Sequence, residues 1–159
     1  LRRVYVSSTT TGTVECLEDS ERLDELLWQV LWRPLGLPRN IRSSFRLDGE
    51  SIELVAKDEE RITGGLVAVW TRDTEVELRH LAVAPGNHNR GTGRLLVERL
   101  EHMVRRNGCR RVHTIARHTS SAFFRKLGFR TAPGIPPDHP HFRRHGIVFE
   151  LMEKHIEPD

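Results

Sequence analysis

The sequence predicts an α/β (α+β) fold, with a mixed central sheet of about six to seven strands flanked by helices. Three observations predict it. Residues 51–83 hold a period-two segment and two further strand segments parted by charged turns, the pattern of three antiparallel strands in sequence. Residues 91–106 carry an amphipathic helical pattern, and another strand pattern follows at 111–116. A strand, a helix and a strand in succession form a crossover, so segments 75–83 and 111–116 are expected to run parallel.

Thr13 to Leu17 reads as a first short strand, and Ser20 then stands as N-cap before Leu23, Leu26, Leu27, Val30 and Leu31 at helical spacing. This helix should end near Pro34. The stretch Arg33 to Arg39 holds too many breakers for a regular element, and a second short helix is expected after it. Ile52, Leu54 and Ala56 alternate with polar residues up to the turn Asp58-Glu59-Glu60. The return strand Ile62 to Trp70 leads through Arg72-Asp73 into the strand Glu75 to Val83.

In the helix from Gly91 to Arg106, Leu95, Leu96, Leu100, Met103 and Val104 form the apolar side, and Asn107-Gly108 ends it. A shorter helix is expected from about Thr119 to Lys126, closed by Gly128. Four of the chain's eight prolines fall between Pro133 and His141, which reads as a loop, and Gly146 to Met152 reads as the last strand.

The 159 residues suit a single domain, 1–159, able to bury a continuous core. Apolar residues make up 37% and charged residues 30%, a globular composition. No apolar run approaches the roughly 20 residues of a membrane-spanning helix, and no membrane partner is expected. The start Leu1-Arg2-Arg3-Val4 lacks the apolar region of a secretory signal. Cys16 and Cys109 are too few for a disulfide framework, so a reducing cytoplasm is the expected compartment. The net charge of +3 comes from interspersed residues and gives no concentrated basic face, so no nucleic-acid partner is expected.

The run with most chemical content is Leu81-Ala82-Val83-Ala84-Pro85-Gly86-Asn87-His88-Asn89-Arg90-Gly91-Thr92-Gly93-Arg94, a strand passing through a loop into a helix. Free N–H groups at a helix start, with the positive end of its dipole, can hold a pyrophosphate. Glycine at 91 and 93 lets phosphate oxygens approach the main chain, Thr92 offers a hydroxyl, and Arg90 and Arg94 offer charge. The run lacks the Lys-Ser/Thr ending of a nucleotide P-loop and the three-glycine dinucleotide fingerprint. The bland alternative for these glycines is a tight turn.

His88-Asn89-Arg90-Gly91-Thr92-Gly93 resembles the cofactor motif Gln/Arg-x-x-Gly-x-Gly/Ala of the GCN5-related N-acetyltransferase (GNAT) family, with His88 in place of Gln or Arg. Phe123-Phe124-Arg125-Lys126-Leu127-Gly128-Phe129 resembles its second motif, an aromatic pair followed by Lys-Leu-Gly-Phe. The resemblance spans roughly residues 12 to 153 and is strongest from Glu75 to Phe129.

The resemblance implies the acyl-CoA N-acyltransferase fold, acetyl-CoA as cosubstrate, no metal, an amine acceptor and a possible homodimer. It implies that Leu81, Ala82 and Val83 lie along the pantetheine arm, and that His88, Asn89, Arg90, Gly91, Thr92, Gly93 and Arg94 hold the pyrophosphate. Attack requires a neutral amine, and an alkylamine with a pKa of about 10.4 is mostly charged at neutral pH, so a general base is useful. Glu77 occupies the position where some family members carry that base. Glu75 shares its strand face, whereas His80 is expected on the other; the bland reading of Glu77 is a solvated strand end neutralised by Arg79, and His118 is an alternative base.

The family's usual Tyr acid is replaced by Phe124; solvent, His118 or Tyr5 are candidates to substitute. The helix Ser20 to Leu31 and the segment Arg33 to Ser44 are implied to border the acceptor pocket, with Trp28, Trp32 and Arg39 shaping it. The tail His139-Pro140-His141-Phe142-Arg143-Arg144-His145 raises a zinc reading, countered by its prolines and interleaved arginines. The main alternative to an enzyme is a non-catalytic acetyl-CoA-binding regulatory or interaction domain.

Overall fold

The computed structural model describes residues 9–45, 48–87 and 90–159. Among them, seven strands build one sheet in the order β1-β2-β3-β4-β5-β7-β6. They are β1 (Thr9–Thr13), β2 (Ser51–Asp58), β3 (Arg61–Arg72), β4 (Glu75–Val83), β5 (Arg111–Arg117), β6 (Arg130–Thr131) and β7 (Phe149–His155). The neighbours β1 to β4 are antiparallel, β4 and β5 are parallel, and β7 runs antiparallel between β5 and β6. The expected fold class and the parallel crossover are both observed.

Helix α1 (Leu17–Leu27) packs on one face and α2 (Thr92–Arg106) on the other. Leu23, Leu26 and Leu27 of α1 meet Val67 and Ala82, while Leu96, Val97, Leu100 and Val104 of α2 meet Leu54, Leu66, Ala68, Val76 and Leu78. The alternation along β3 supplies both faces, as a strand buried on two sides requires. Gly64 and Gly65 let the helices come close at the same level: a Cβ at Gly64 would stand 2.8 Å from Thr92 Cγ2, and one at Gly65 2.2 Å from Leu23 Cδ1.

Four sequence expectations are corrected. The first strand is Thr9–Thr13 rather than 13–17, and α1 begins at Leu17, not after Ser20. Cys16 is the N-cap: its backbone is extended, its Sγ accepts from the Asp19 N–H at 3.5 Å, and its carbonyl accepts from Ser20. The last strand is Phe149–His155, three residues later than expected. A short helix α4 (Pro140–Arg144) overlaps the segment read as a loop, and it turns out through Gly146, φ 76°, before the strand starts. The two-residue β6, pairing with Glu153 and Met152, was also not anticipated.

After α1 the chain winds through a π-helical turn, Trp28–Trp32, and a 3₁₀ turn, Arg33–Leu35, that contains Pro34. The expected second short helix is the 3₁₀ turn Ile41–Ser44. A 3₁₀ turn, His118–Ser120, leads into α3 (Ser121–Lys126).

Candidate active site

The parallel pairing of β4 with β5 stops early. Its rungs run from Glu75↔Arg111 to Leu78↔Thr114, and beyond them β4 keeps only β3 and β5 keeps only β7. The strands therefore part as a V. The Ala84 N–H donates to the Thr63 carbonyl at 2.8 Å, which fixes the hydrogen-bonding phase of the β3–β4 ladder. Ala82 with Gly65 and His80 with Val67 are then the bonded rungs. The backbone N–H and C=O groups of Leu81 and Val83 point the other way, into the gap.

On the α2 side of the gap lies a groove of about 910 Å³ whose lining includes Leu81, Val83, Gly91, Thr92, Gly93 and Arg94. Gly91 is the N-cap of α2 at φ 77°, and its carbonyl accepts from Leu95 at 3.0 Å. Among the described residues no side chain caps this end, so the first N–H groups of a 15-residue helix are open to the groove from them. The two glycines differ in their reasons. Gly91 has open space around it but needs the left-handed conformation, whereas a Cβ at Gly93 would stand 3.2 Å from Phe123 Cζ. Gly93 thus joins the two sequence motifs by direct contact.

Thr92 is buried with its methyl group over Gly64. Arg94 is exposed and pairs with Glu98 at 2.7 Å; Arg90 is exposed in the preceding turn. Ala82 turns its side chain toward the α1 cluster. His88 and Asn89 lie outside the described residues, as does Tyr5.

On the opposite face a smaller cavity of about 240 Å³ opens at the same gap. Leu31, Leu81, Arg117 and Ser120 line both spaces, so the two meet there. Glu77 lines the smaller one; its carboxylate accepts from Arg79 Nη1 at 3.0 Å, and its side chain is 15% exposed, so it is not the solvated strand end considered above. Glu75 shares this face but is committed elsewhere, to Arg111 at 3.6 Å and Arg72 at 3.8 Å.

His80 was expected on the other face of the strand from Glu77; both face the smaller cavity. Register explains the correction: Ala68 pairs with Leu78 and Val67 with His80, so Arg79 is an extra residue, a β-bulge that reverses the facing of everything after it. His80 packs edge-on to Trp32, centroids 5.0 Å apart, and beside Phe45 at 5.7 Å. Burial there, reinforced by the charges of Arg79, Arg42 and Arg117, pushes its pKa down to about 3. It is therefore neutral at physiological pH.

Arg117 stands where the two spaces meet. Its Nη2 donates to the Leu31 carbonyl at 2.7 Å and its guanidinium lies over the Phe142 ring at 5.5 Å. Among the described residues it has no carboxylate partner, and burial lowers its pKa. Sequence reasoning did not single out Arg117, Phe45 or Phe149, which the fold brings into the cavity wall.

Phe124, 4% exposed, packs edge to face on Phe123 and Phe129. The His118 ring is held at the Val148 backbone and lines neither space. Trp32 lines the smaller cavity, whereas Trp28 and Arg39 do not: the Trp28 indole N–H donates to the Leu37 carbonyl, and Arg39 pairs with Asp24 and Glu25. In the histidine-rich segment, His141 bonds the Leu35 carbonyl at 2.8 Å and His139 packs on Phe142 and Phe149. Among the described residues, no three His, Cys, Asp or Glu side chains come together as metal ligands.

A mixed seven-strand sheet that splays between parallel neighbours, with a helix start led by Gly91 beside the split, defines the class of acyl-CoA N-acyltransferase folds. Residues 49–131, slightly more than half of the chain, match the family model for the acetyltransferase (GNAT) domain, and the chain belongs to that family. It is 35% identical over 86 residues to probable N-acetyltransferase 14 of Danio rerio. That match covers 52% of this chain and 27% of the fish protein, so the chain matches about a quarter of its curated relative.

Among solved structures it is similar to aminoglycoside 6'-N-acetyltransferase complexed with coenzyme A, with TM-score 0.75, 19% identity, and 94% and 98% of the two chains covered. It is also similar to PaiA N-acetyltransferase from Thermoplasma acidophilum in complex with coenzyme A, with TM-score 0.70, 18% identity and coverage of 93% and 99%. These likenesses show the fold.

Proposed function

We propose that the chain, residues 1–159, works as one N-acetyltransferase domain that moves an acetyl group from acetyl-CoA to a primary amine by direct attack. The observation that carries this reading is the gap between β4 and β5. It offers two spaces meeting at one point, a groove ending on a helix N-terminus and a cavity holding a carboxylate.

The residues fit acetyl-CoA without a metal. The Leu81 and Val83 backbone groups, released from β3, bind the amide-bearing pantetheine arm, and the N–H groups of Thr92, Gly93 and Arg94 meet the pyrophosphate at the positive end of α2. His88, Asn89 and Arg90 belong to the same loop by family motif. Glu77 takes the proton of the attacking amine; the amine nitrogen bonds to the thioester carbon, N–H donors of β4 hold the oxyanion, and the C–S bond breaks with its electron pair on sulfur. With phenylalanine at 124, no phenol protonates that sulfur. A thiolate of pKa about 8.5 is nonetheless a tolerable leaving group.

Both cysteines are free, Cys16 exposed and Cys109 buried, and no helix among the described residues is long and apolar enough to cross a membrane. These facts support the proposed cytoplasmic setting; the homodimer implied by family resemblance is tested by light scattering.

The test incubates purified protein with acetyl-CoA and a diverse amine panel, following thiol release and acetylated product by mass spectrometry. Protein-dependent product is expected, with a loss of about 10²-fold or more in kcat for Glu77→Gln at intact cofactor affinity. Cofactor binding with no amine acetylated would instead support a non-catalytic acetyl-CoA-binding domain, the reading that Phe124 favours.

A further inference from the structure

Resting on the acetyl-transfer reading, the geometry points to a free α-amino acid with an aromatic side chain as the acceptor, its carboxylate held by Arg117 and its ring seated among Phe45, Phe142 and Phe149.

Three observations converge on this class. The first is size. About 240 Å³ exceeds the roughly 150 Å³ that an apolar cavity needs to hold benzene, so the space fits one ring with a short stem and is small for an oligosaccharide or an extended polyamine. The second is the wall. Phe45, Phe142 and Phe149, each half-buried, line it with Trp32, 2% exposed, behind Phe45, and the Phe142–Phe149 pair is edge-on at 5.5 Å, leaving ring edges for a further aromatic group.

The third is charge. Among the described residues the only carboxylate in the lining, Glu77, is already paired with Arg79, and His80 is neutral, so Arg117 leaves the wall with a net positive charge. A polycationic acceptor is disfavoured there. The half-buried Arg117 guanidinium bonds one carbonyl and lies over one ring, which leaves donors and a charge for an anion in the cavity. Arg117 lines both spaces, so an anion that it takes in the smaller cavity lies toward the junction where an acceptor amine would meet the thioester. In an α-amino acid the carboxylate is two bonds from the amine. An arylalkylamine lacks that group, and a peptide N-terminus carries an uncharged amide in its place. The same cation disfavours a neighbouring ammonium, which favours the neutral nucleophile.

The experiment compares L-phenylalanine, L-phenylalaninamide and phenethylamine as acceptors with saturating acetyl-CoA, for the parent protein, Arg117→Gln and Arg117→Lys. Circular dichroism establishes that each variant is folded. The expected result is that kcat/KM for phenylalanine exceeds that for the amide and for phenethylamine by about 10- to 100-fold, mostly through KM. The preference collapses in Arg117→Gln and is partly kept in Arg117→Lys.

Equal use of phenethylamine and phenylalanine would overturn the assignment. So would a uniform fall in kcat for all three amines in Arg117→Gln, which would place the guanidinium at the departing thiolate. If other amines of the panel are acetylated but none of these three, the acceptor class is wrong and acetyl transfer stands. If no amine releases thiol, transfer itself fails, and calorimetry of phenylalanine against the coenzyme A-saturated protein then decides the cavity: binding lost in Arg117→Gln supports it, and no binding overturns it.

Discussion

The Thr114 hydroxyl donates to the Leu78 carbonyl at 2.8 Å, across the last paired rung of β4 and β5. Thr114 is 4% exposed, so this bond closes the vertex of the gap from which the candidate site opens. Replacing Thr114 by Val keeps the shape and leaves the carbonyl without its side-chain donor. A loss of about 1–2 kcal/mol in unfolding free energy is expected, measured by urea denaturation. An unchanged midpoint would show that the vertex is held by the ladder alone.

Gly93 and Phe123 are in contact across the start of α2, so Gly93→Val should push the helix start away from the groove. Coenzyme A affinity is expected to weaken by about 10- to 100-fold, measured by calorimetry, because the backbone donors move out of line. Gly91→Ala offers a contrast. There the added methyl meets open space, and the cost, about 1 kcal/mol of stability, comes from holding alanine at positive φ.

His80 carries a pH signature. Its pKa in the folded protein is pushed down to about 3 by burial first and neighbouring arginines second, against an ordinary 6.5. Between those values the unfolded chain binds a proton that the native state refuses, so stability falls as pH drops from 6.5 toward 3. His80→Phe keeps a ring against Trp32 and removes the titration. Relative to that variant, the parent should lose up to roughly 1.4 kcal/mol per pH unit across this window, with the two curves parallel above it.

Glu150 titrates in the opposite sense. Hydrogen bonds from the Ser121 and Thr131 hydroxyls, then the ion pair with Arg125, hold its carboxyl at about 2 instead of 4.5. Its stabilisation is present above pH 4.5 and is lost as pH falls toward 2. Glu150→Gln should cost about 1–2 kcal/mol at pH 6 and much less near pH 2, where the carboxyl is half protonated, read from urea titrations at each pH.

Much of the fold could be read from residue patterns because its signals were local. Alternation at Ile52, Leu54 and Ala56, the charged turn after Asp58 and the stripe of α2 each report one element, and the crossover then fixes a parallel pair. The start of α1 was misread because a cysteine, outside the usual capping residues, caps it. β1, with the sequence Thr-Thr-Thr-Gly-Thr, has no apolar alternation to reveal it.

In the candidate site, the glycine run announced the groove because its demands are made by neighbouring residues. The smaller cavity was hidden: Trp32, Phe45, Phe142 and Phe149 come from four separate stretches and meet only in the fold. One mark was available. Apolar residues on β4 fall at 76 and 78 and then at 81 and 83, and that slip in rhythm is the bulge.

Arg79 consequently acts as a parity bit for the strand. Because it is counted by the backbone and skipped by the ladder, an odd-numbered carboxylate and an even-numbered imidazole share one compartment, while Val83 addresses the other and Leu81 stands at their junction. Chemistry on the two sides of the sheet is thereby set by chain length as much as by side-chain identity. Deleting this single residue would remove only the guanidinium beside Glu77 and exchange the sides to which the groups beyond it report.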